Sequence, residues 1–217
     1  DSKTVDEVLQ TIVTPAIAKA KEELKDLQKA MDKDAAAGLL PVGSTIQPWD
    51  WAYYTEKVRK EKFDLDEEQT RPYFKMENVR AGVFATASRL YGLNIEPVED
   101  APVYHPDVEV FKVTDASDGS LLGILTTDYY PRSTKRGGAW MNNVREQYVD
   151  ADGTEVRPII VNVGNFTKPA ADNPSLLTID EVGTMFHEFG HALHGLLTKC
   201  HYTAVSGTSV AGDFVDL

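Results

Sequence analysis

Two histidines and a glutamate stand at a spacing that suits a metal ion and a general base. Residues 187–191 read His-Glu-Phe-Gly-His. Helical residues four apart lie on one face, so the imidazoles of His187 and His191 can reach one tetrahedral zinc ion at about 2.0–2.1 Å. Glu188 points to the side of this pair, where it can accept a proton from an attacking water. Zinc lowers the pKa of bound water to about 7, so the pattern predicts hydrolysis of a polarised carbonyl, above all a peptide bond.

The neighbouring residues predict the helix that must hold this pattern. Thr178 and Glu181 have the spacing of a capping box, and apolar residues continue at helical spacing to about Leu197. A polar trio is costly to bury on such a helix unless it binds something. Gly190 costs about 1 kcal/mol relative to Ala inside a helix, so we expect another segment to pass close to it. His194 shares the helical face and is a further candidate ligand, although we expect it instead to pack or to support a ligand.

Two histidines leave the metal in need of a third protein ligand. The carboxylates that follow them belong to Asp213 and Asp216, and His201 is another candidate. A purely structural zinc site needs no base beside its ligands, so Glu188 argues against a non-catalytic zinc-binding module. That module stays open as an alternative, and so does a domain that folds without metal.

The rest of the chain predicts an α+β fold, mostly helical, with a small and mainly antiparallel sheet before the zinc-site helix. Apolar residues recur at helical spacing in three segments, which are residues 4 to about 36, 49 to 62 and 76 to 91. Four β-like segments follow Pro97, with turn signals at Asp118-Gly119 and Asp152-Gly153. We therefore divide the chain into a helical region, 1–96, and a region of sheet and zinc-site helix, 97–217, both within one larger catalytic domain.

The composition of the chain argues against several classes of binding partner. The 217 residues contain 34 acidic side chains against 22 Lys and Arg, a net charge of −12. This charge argues against nucleic acid and against an anionic membrane surface, and no apolar run approaches the roughly 18–20 residues of a membrane helix. The single cysteine, Cys200, cannot form an internal disulfide and fits a reducing compartment, so we expect a cytoplasmic location. Oligomeric state is left open.

Several segments resemble the thimet oligopeptidase family of zinc peptidases. They are residues 50–54, 63–68, 104–108, 133–141, 186–195, 206–208 and 213–215. The Gly-Gly-Ala-Trp-Met segment, 137–141, is most similar to the bacterial peptidyl-dipeptidase branch. The resemblance implies zinc as cofactor, a channel that admits short peptides, and release of dipeptides from peptide C-termini. An endo-acting oligopeptidase is the nearby alternative.

The resemblance also implies site residues. The family's third zinc ligand is a Glu directly after Phe-Val, and here Asp216, one methylene shorter, stands at that position. The implied metal ligands are thus His187, His191 and Asp216. Ala139 and Trp140 resemble the edge strand that pairs with an extended substrate, and Gly207 is a further substrate contact.

Members of this family are much longer than this chain. Their transition-state stabilisers, a His and Tyr residues in a Gly-rich stretch, lie beyond the position that matches Leu217. Losing such donors costs on the order of 100-fold or more in rate. We therefore expect an internal piece of a larger enzyme, weakly active or inactive alone.

A basic cluster stands out in this acidic chain, formed by Arg132, Lys135 and Arg136. Such a cluster either meets the C-terminal carboxylate of a substrate or forms a solvated loop.

Overall fold

The computed structural model divides the chain into two compact units, Asp1–Asp66 and Glu67–Leu217. It describes residues 1–64, 67–170 and 172–215. The composition of the sequence changes near residue 96, whereas the packing divides after residue 66. Within the described ranges we find no helix that combines the length and the hydrophobicity needed to span a bilayer.

The first unit contains a pair of packed helices, α1 (Ser2–Ala36) and α2 (Trp51–Phe63). Asp34 of α1 accepts hydrogen bonds from the Tyr54 hydroxyl at 3.2 Å and the Lys57 ammonium at 2.6 Å, both on α2. A small apolar cluster lies beside this ion pair, made of Leu27, Ala30, Met31 and Tyr54. The pair therefore joins through the C-terminal third of α1.

The second unit is built on a sheet, as the α+β prediction requires. Its strands are β1 (Leu93–Pro97), β2 (Glu109–Asp115), β3 (Leu121–Asp128), β4 (Trp140–Arg145), β5 (Tyr148–Val149), β6 (Glu155–Val156) and β7 (Ile159–Val163). Five of them form one sheet in the order β1-β2-β3-β7-β4, and β5 pairs with β6 in a separate hairpin. Three of the four pairings in the larger sheet are antiparallel, and β3 pairs with β7 in parallel.

Local turn signals locate the hairpins well. Gly119 and Gly153 adopt left-handed backbone angles, φ 74° and 88°, at the two predicted turns. The sequence did not predict β1, which follows directly after the helix cap Gly92 (φ 66°) and pairs along its whole length with β2. Five residues with one buried side chain carry little periodicity, so strand β1 depends on its partner β2.

Two helices pack on the sheet, α4 (Met76–Tyr91) and α5 (Ile179–Leu197). The helix α5 lies across β3, β7 and β4, while α4 contacts β1 and α5. Two short helices complete the unit, α3 (Glu67–Thr70) and α6 (Gly212–Val215). Strand residues Phe111, Val113, Leu125 and Ile160 join the buried faces of both long helices in one apolar core. This core fixes α5, the helix that carries His187 and His191.

Candidate active site

The helix α5 begins where the sequence predicts. The Thr178 hydroxyl accepts from the backbone N–H of Glu181 at 3.1 Å, and the Glu181 carboxylate accepts from the N–H of Thr178 at 2.8 Å. One face is buried against the core and contains Met185, Phe189, Ala192 and Leu196. The opposite face carries exposed His187 and part-exposed His191. The helical period therefore separates the residues that pack from the residues that could do chemistry.

The two histidines converge on one point. Their Nε2 atoms lie 3.1 Å apart, with the rings nearly perpendicular at 89°. Two nitrogens bound to one tetrahedral zinc at about 2.0–2.1 Å lie about 3.3 Å apart, so the observed spacing fits shared coordination. His187 and His191 are thus the residues able to hold a metal together.

Glu188 is half-buried beside this pair, and the sheet holds its backbone. Asn162 is a fully buried residue on β7, and its side-chain amide donates to the Glu188 carbonyl at 2.9 Å. The Asn162 side-chain oxygen in turn accepts from the Tyr129 hydroxyl at 3.1 Å. Burial raises the pKa of Tyr129, which keeps this hydroxyl a donor. The helix is therefore fixed to the sheet at the residue proposed as base.

An open cleft of about 400 Å³ lies beside the histidines. It is lined by Ala139, Trp140, Met141, Glu188, His191, Thr208 and Val215. The first three come from β4 and the residue before it, and β4 is an edge strand of the described sheet. The cleft thus unites a candidate base, a candidate metal-binding histidine and an edge strand able to pair with an extended chain.

Gly207 is buried and is not among the described residues that line the cleft. A Cβ at Gly207 would lie 3.1 Å from the Cα of Gly195, so the backbone of this loop crosses α5 directly. The N–H of Gly207 donates to the Thr198 hydroxyl at 3.2 Å, and the next residue, Thr208, lines the cleft. Gly207 also adopts φ 54°, which favours glycine.

The close approach predicted for Gly190 is wrong for the described part of the chain. No described heavy atom beyond its own helix lies within 4 Å of a Cβ built there. The crossing occurs instead at Gly195, on the buried face of α5. Helical periodicity explains the difference, because Gly190 shares the open face with the histidines.

Asp216 lies outside the described residues. Val215, the residue before it in sequence, lines the cleft together with His191 and Glu188. Asp213 is exposed on α6. Among the side chains that the structure describes, no group of three His, Cys, Asp or Glu is arranged to hold a metal.

His194 contributes to a different surface. It lines a shallow cavity together with Tyr91, Gly190 and Leu193. His201, the other histidine considered, is exposed after α5, and its carbonyl accepts from the N–H of Val149. Neither residue lines the cleft that contains His191.

The basic cluster is used within the protein. Arg132 donates two hydrogen bonds of 2.8 Å to the carboxylate of Asp128, and Lys135 donates to the same carboxylate at 3.1 Å. Arg136 is exposed, as a solvated loop would have it. Neither of the two readings taken from sequence fits Arg132 and Lys135, because their partner is an acidic side chain at the end of β3.

Sequence reasoning missed Asn162, Tyr129 and Asp128. For Asn162 a signal was present, because an amide interrupts the apolar run Ile-Ile-Val-Asn-Val. A buried polar side chain in such a strand needs a partner, and here the partner is the backbone of α5. The pairing of Asp128 with Lys135 gave no comparable signal.

Comparisons with known proteins find one family profile and several relatives. The profile of peptidase family M3 matches residues 1–217. The chain is 45% identical over 209 residues to dipeptidyl carboxypeptidase of Escherichia coli K12, a match that covers 96% of this chain and 29% of that protein. It is 42% identical over 173 residues to oligopeptidase A of the same organism, covering 79% and 25% respectively. Thimet-like oligopeptidase of Dictyostelium discoideum is 32% identical over 215 residues, covering 99% and 32%. The chain therefore spans about a third or less of these relatives.

Acid should weaken the hydrogen bonds that the Asp128 carboxylate accepts from Arg132, Tyr104 and Lys135. Burial alone would raise the pKa of Asp128, but the hydrogen bonds from Arg132, Tyr104 and Lys135 together lower it to about 2. An unfolded Asp has a pKa of about 3.9, so this carboxylate stabilises the fold above about pH 4 and loses that effect as pH falls toward 2. The thermal midpoint of Asp128→Asn should lie well below that of wild type at pH 6, and the gap should narrow toward pH 3. For the exposed Asp100→Asn the gap should stay constant. A gap for Asp128→Asn that is independent of pH would contradict this assignment.

Proposed function

This chain belongs to peptidase family M3, and we propose that the protein hydrolyses peptide bonds in short peptides with a zinc ion held by His187 and His191. The observation that carries the proposal is the 3.1 Å convergence of the two Nε2 atoms beside Glu188, in a cleft bordered by an edge strand. Neutral imidazoles are preferred zinc ligands. Because the chain spans less than a third of its bacterial relatives, the activity is proposed for the complete gene product.

We propose Asp216 as the third protein ligand. The support is positional, because Val215 lines the same cleft as His191 and Asp216 is the next residue in sequence. A carboxylate completes a donor set of two imidazoles and one oxygen and leaves a coordination position open. Zinc bound there would supply a Lewis acid that polarises the scissile carbonyl and activates water near neutral pH.

The residues of the chain divide the remaining work. The edge strand at Ala139 and Trp140 is proposed to pair with the substrate backbone and to hold the scissile peptide in the cleft. Glu188 accepts a proton as the water oxygen bonds to the carbonyl carbon. The same carboxyl group then donates that proton to the departing nitrogen as the C–N bond breaks. Gly207 contributes indirectly, because its crossing over Gly195 holds the wall that Thr208 forms.

We propose release of C-terminal dipeptides as the mode of cleavage. Support comes from the Gly-Gly-Ala-Trp-Met segment and from the 45% identity to a protein named dipeptidyl carboxypeptidase. Internal cleavage is a second candidate, because the relatives named oligopeptidase A reach 42% identity.

Glu188→Gln should abolish turnover and leave the metal in place. The amide keeps the shape of the side chain but cannot take the proton, so kcat should fall by about 100-fold or more. Zinc content, measured by atomic emission on the complete gene product, should stay at the wild-type value. The exposed Glu96→Gln, on β1, serves as control and should change neither quantity. Loss of zinc from Glu188→Gln would assign Glu188 as a ligand and not as the base.

Asp216→Ala should weaken zinc binding. Loss of a direct ligand should raise the zinc dissociation constant by at least about 10-fold, since removing a group that only hydrogen-bonds to a ligand already costs that much. Asp216→Glu restores the carboxylate and should bind zinc as tightly as wild type or better. Competition with a chromogenic chelator measures all three, with Asp213→Ala on α6 as control. Equal affinity of Asp216→Ala and wild type would remove Asp216 from the ligand set.

Cleavage mode can be read from two versions of one peptide. A dipeptide-releasing enzyme needs a free C-terminal carboxylate, so it should cut the free peptide two residues from its end and spare the C-terminally amidated peptide. Mass spectrometry of the products distinguishes this outcome from internal cleavage. Equal cleavage of both peptides at an internal bond would support the oligopeptidase alternative.

A further inference from the structure

We propose that Lys135 is a positioning residue, which fixes the substrate-pairing strand at the cleft by anchoring the loop before β4. This inference rests on the proposed function, because it assigns the strand at Ala139 and Trp140 to the substrate. The loop runs from Tyr129 to Ala139 and connects β3 to β4. Three observations support the assignment: the partners of the Lys135 ammonium, the hydrogen bonds from Asn165 to the same loop, and the place where the loop ends.

The ammonium of Lys135 is enclosed and fully engaged. Its side chain is 5% exposed. The Nζ atom donates to the backbone carbonyls of Asp128 at 2.9 Å, Tyr130 at 2.8 Å and Gly164 at 2.6 Å, and to the Asp128 carboxylate at 3.1 Å. These carbonyls lie at or just after the ends of β3 and β7, which lie side by side in parallel. One cation therefore joins the ends of two strands to the beginning of the loop.

The ammonium of Lys135 shares the carboxylate of Asp128 with a second cation, Arg132. Asp128 is 2% exposed and also accepts from Arg132 and from the Tyr104 hydroxyl at 2.9 Å. Burying ions is costly, and a buried pair often stabilises a fold no more than apolar side chains of the same volume would. This pair also gathers three backbone carbonyls around Lys135 and so holds one backbone conformation, which apolar side chains could not do.

Asn165 holds the same loop at residues nearer to the cleft. The side-chain amide of Asn165 donates to the carbonyls of Arg136 at 2.8 Å and Gly138 at 2.7 Å. Gly138 adopts φ 96°, a backbone angle that favours glycine, and this turns the chain into Ala139. Three loop residues, Lys135, Arg136 and Gly138, are thus held by the segment that follows β7.

The anchored loop ends inside the cleft. Ala139 and Trp140 line it together with Glu188 and His191, and Trp140 begins β4 opposite Val163 of β7. The end of β7 therefore fixes both the base of the loop and the register of β4. A shift of about 1 Å in a substrate-positioning segment can cost about 100-fold in rate. Release of Lys135 should therefore displace the strand and leave the histidines of α5 in place.

The test compares Lys135→Met with Lys112→Met in the complete gene product. The substitution is the same, and Lys112 is an exposed residue on β2. Hydrogen–deuterium exchange reports the backbone amides of residues 136–142, and steady-state kinetics on a short peptide separates KM from kcat. For Lys135→Met we expect faster exchange in 136–142 and a KM raised by about 10- to 100-fold, with a smaller change in kcat and unchanged zinc content. For Lys112→Met we expect wild-type values.

Each result decides the assignment. Exchange and KM of Lys135→Met equal to those of Lys112→Met would overturn it, and so would a loss confined to kcat. If Lys135→Met does not accumulate as a folded protein, Asn165→Ala decides by the same two measurements, because it removes two loop hydrogen bonds without leaving a charge unpaired. A wild-type protein that binds zinc but cleaves no peptide would overturn the proposed function. Exchange of 136–142 would then still decide whether Lys135 anchors the segment.

Discussion

The site depends on how one helix is seated on the sheet. Packing of Met185, Phe189 and Leu196 in the core fixes the rotation of α5, and each residue along a helix turns the side chain by about 100°. A helix rotated by one residue would direct His187 and His191 away from the cleft. The bond from Asn162 to the Glu188 carbonyl adds a polar constraint at the same level. Apolar packing determines which face of α5 is open. The hydrogen bond from the Asn162 side chain fixes the position of that face along the sheet.

The other walls of the cleft are positioned relative to this helix. Strand β4 reaches the cleft because it pairs with β7, on which α5 lies. The loop with Thr208 reaches it because glycines at 195 and 207 let two backbones cross closely. Segments far apart in sequence therefore meet at one place through direct contacts with α5 or with its neighbouring strand. Such a site tolerates little change in the backbone between its parts, because the interior is close-packed.

The sequence predicted what local patterns encode. Thr178 and Glu181 marked the start of α5, helical spacing put both histidines on one face, and Gly119 and Gly153 marked the hairpins. Long-range pairing was not accessible in the same way. Strand β1 depends on its pairing with β2, and β3 pairs in parallel with β7, which lies far along the chain. The position of Lys135 among three carbonyls follows from the pairing of β3 with β7. The close approach expected at Gly190 was misplaced because a glycine in sequence does not reveal which helical face is crossed.

We propose that the imidazoles of His187 and His191 share one zinc ion, and this sharing can be measured by zinc K-edge X-ray absorption on the zinc-loaded complete gene product. We expect two imidazole nitrogens at about 2.0–2.1 Å from the zinc, with oxygen as the remaining ligands. In His187→Ala and His191→Ala the imidazole contribution should fall by half in each. A sulfur ligand at about 2.3 Å, or an imidazole count unchanged in both variants, would contradict the account.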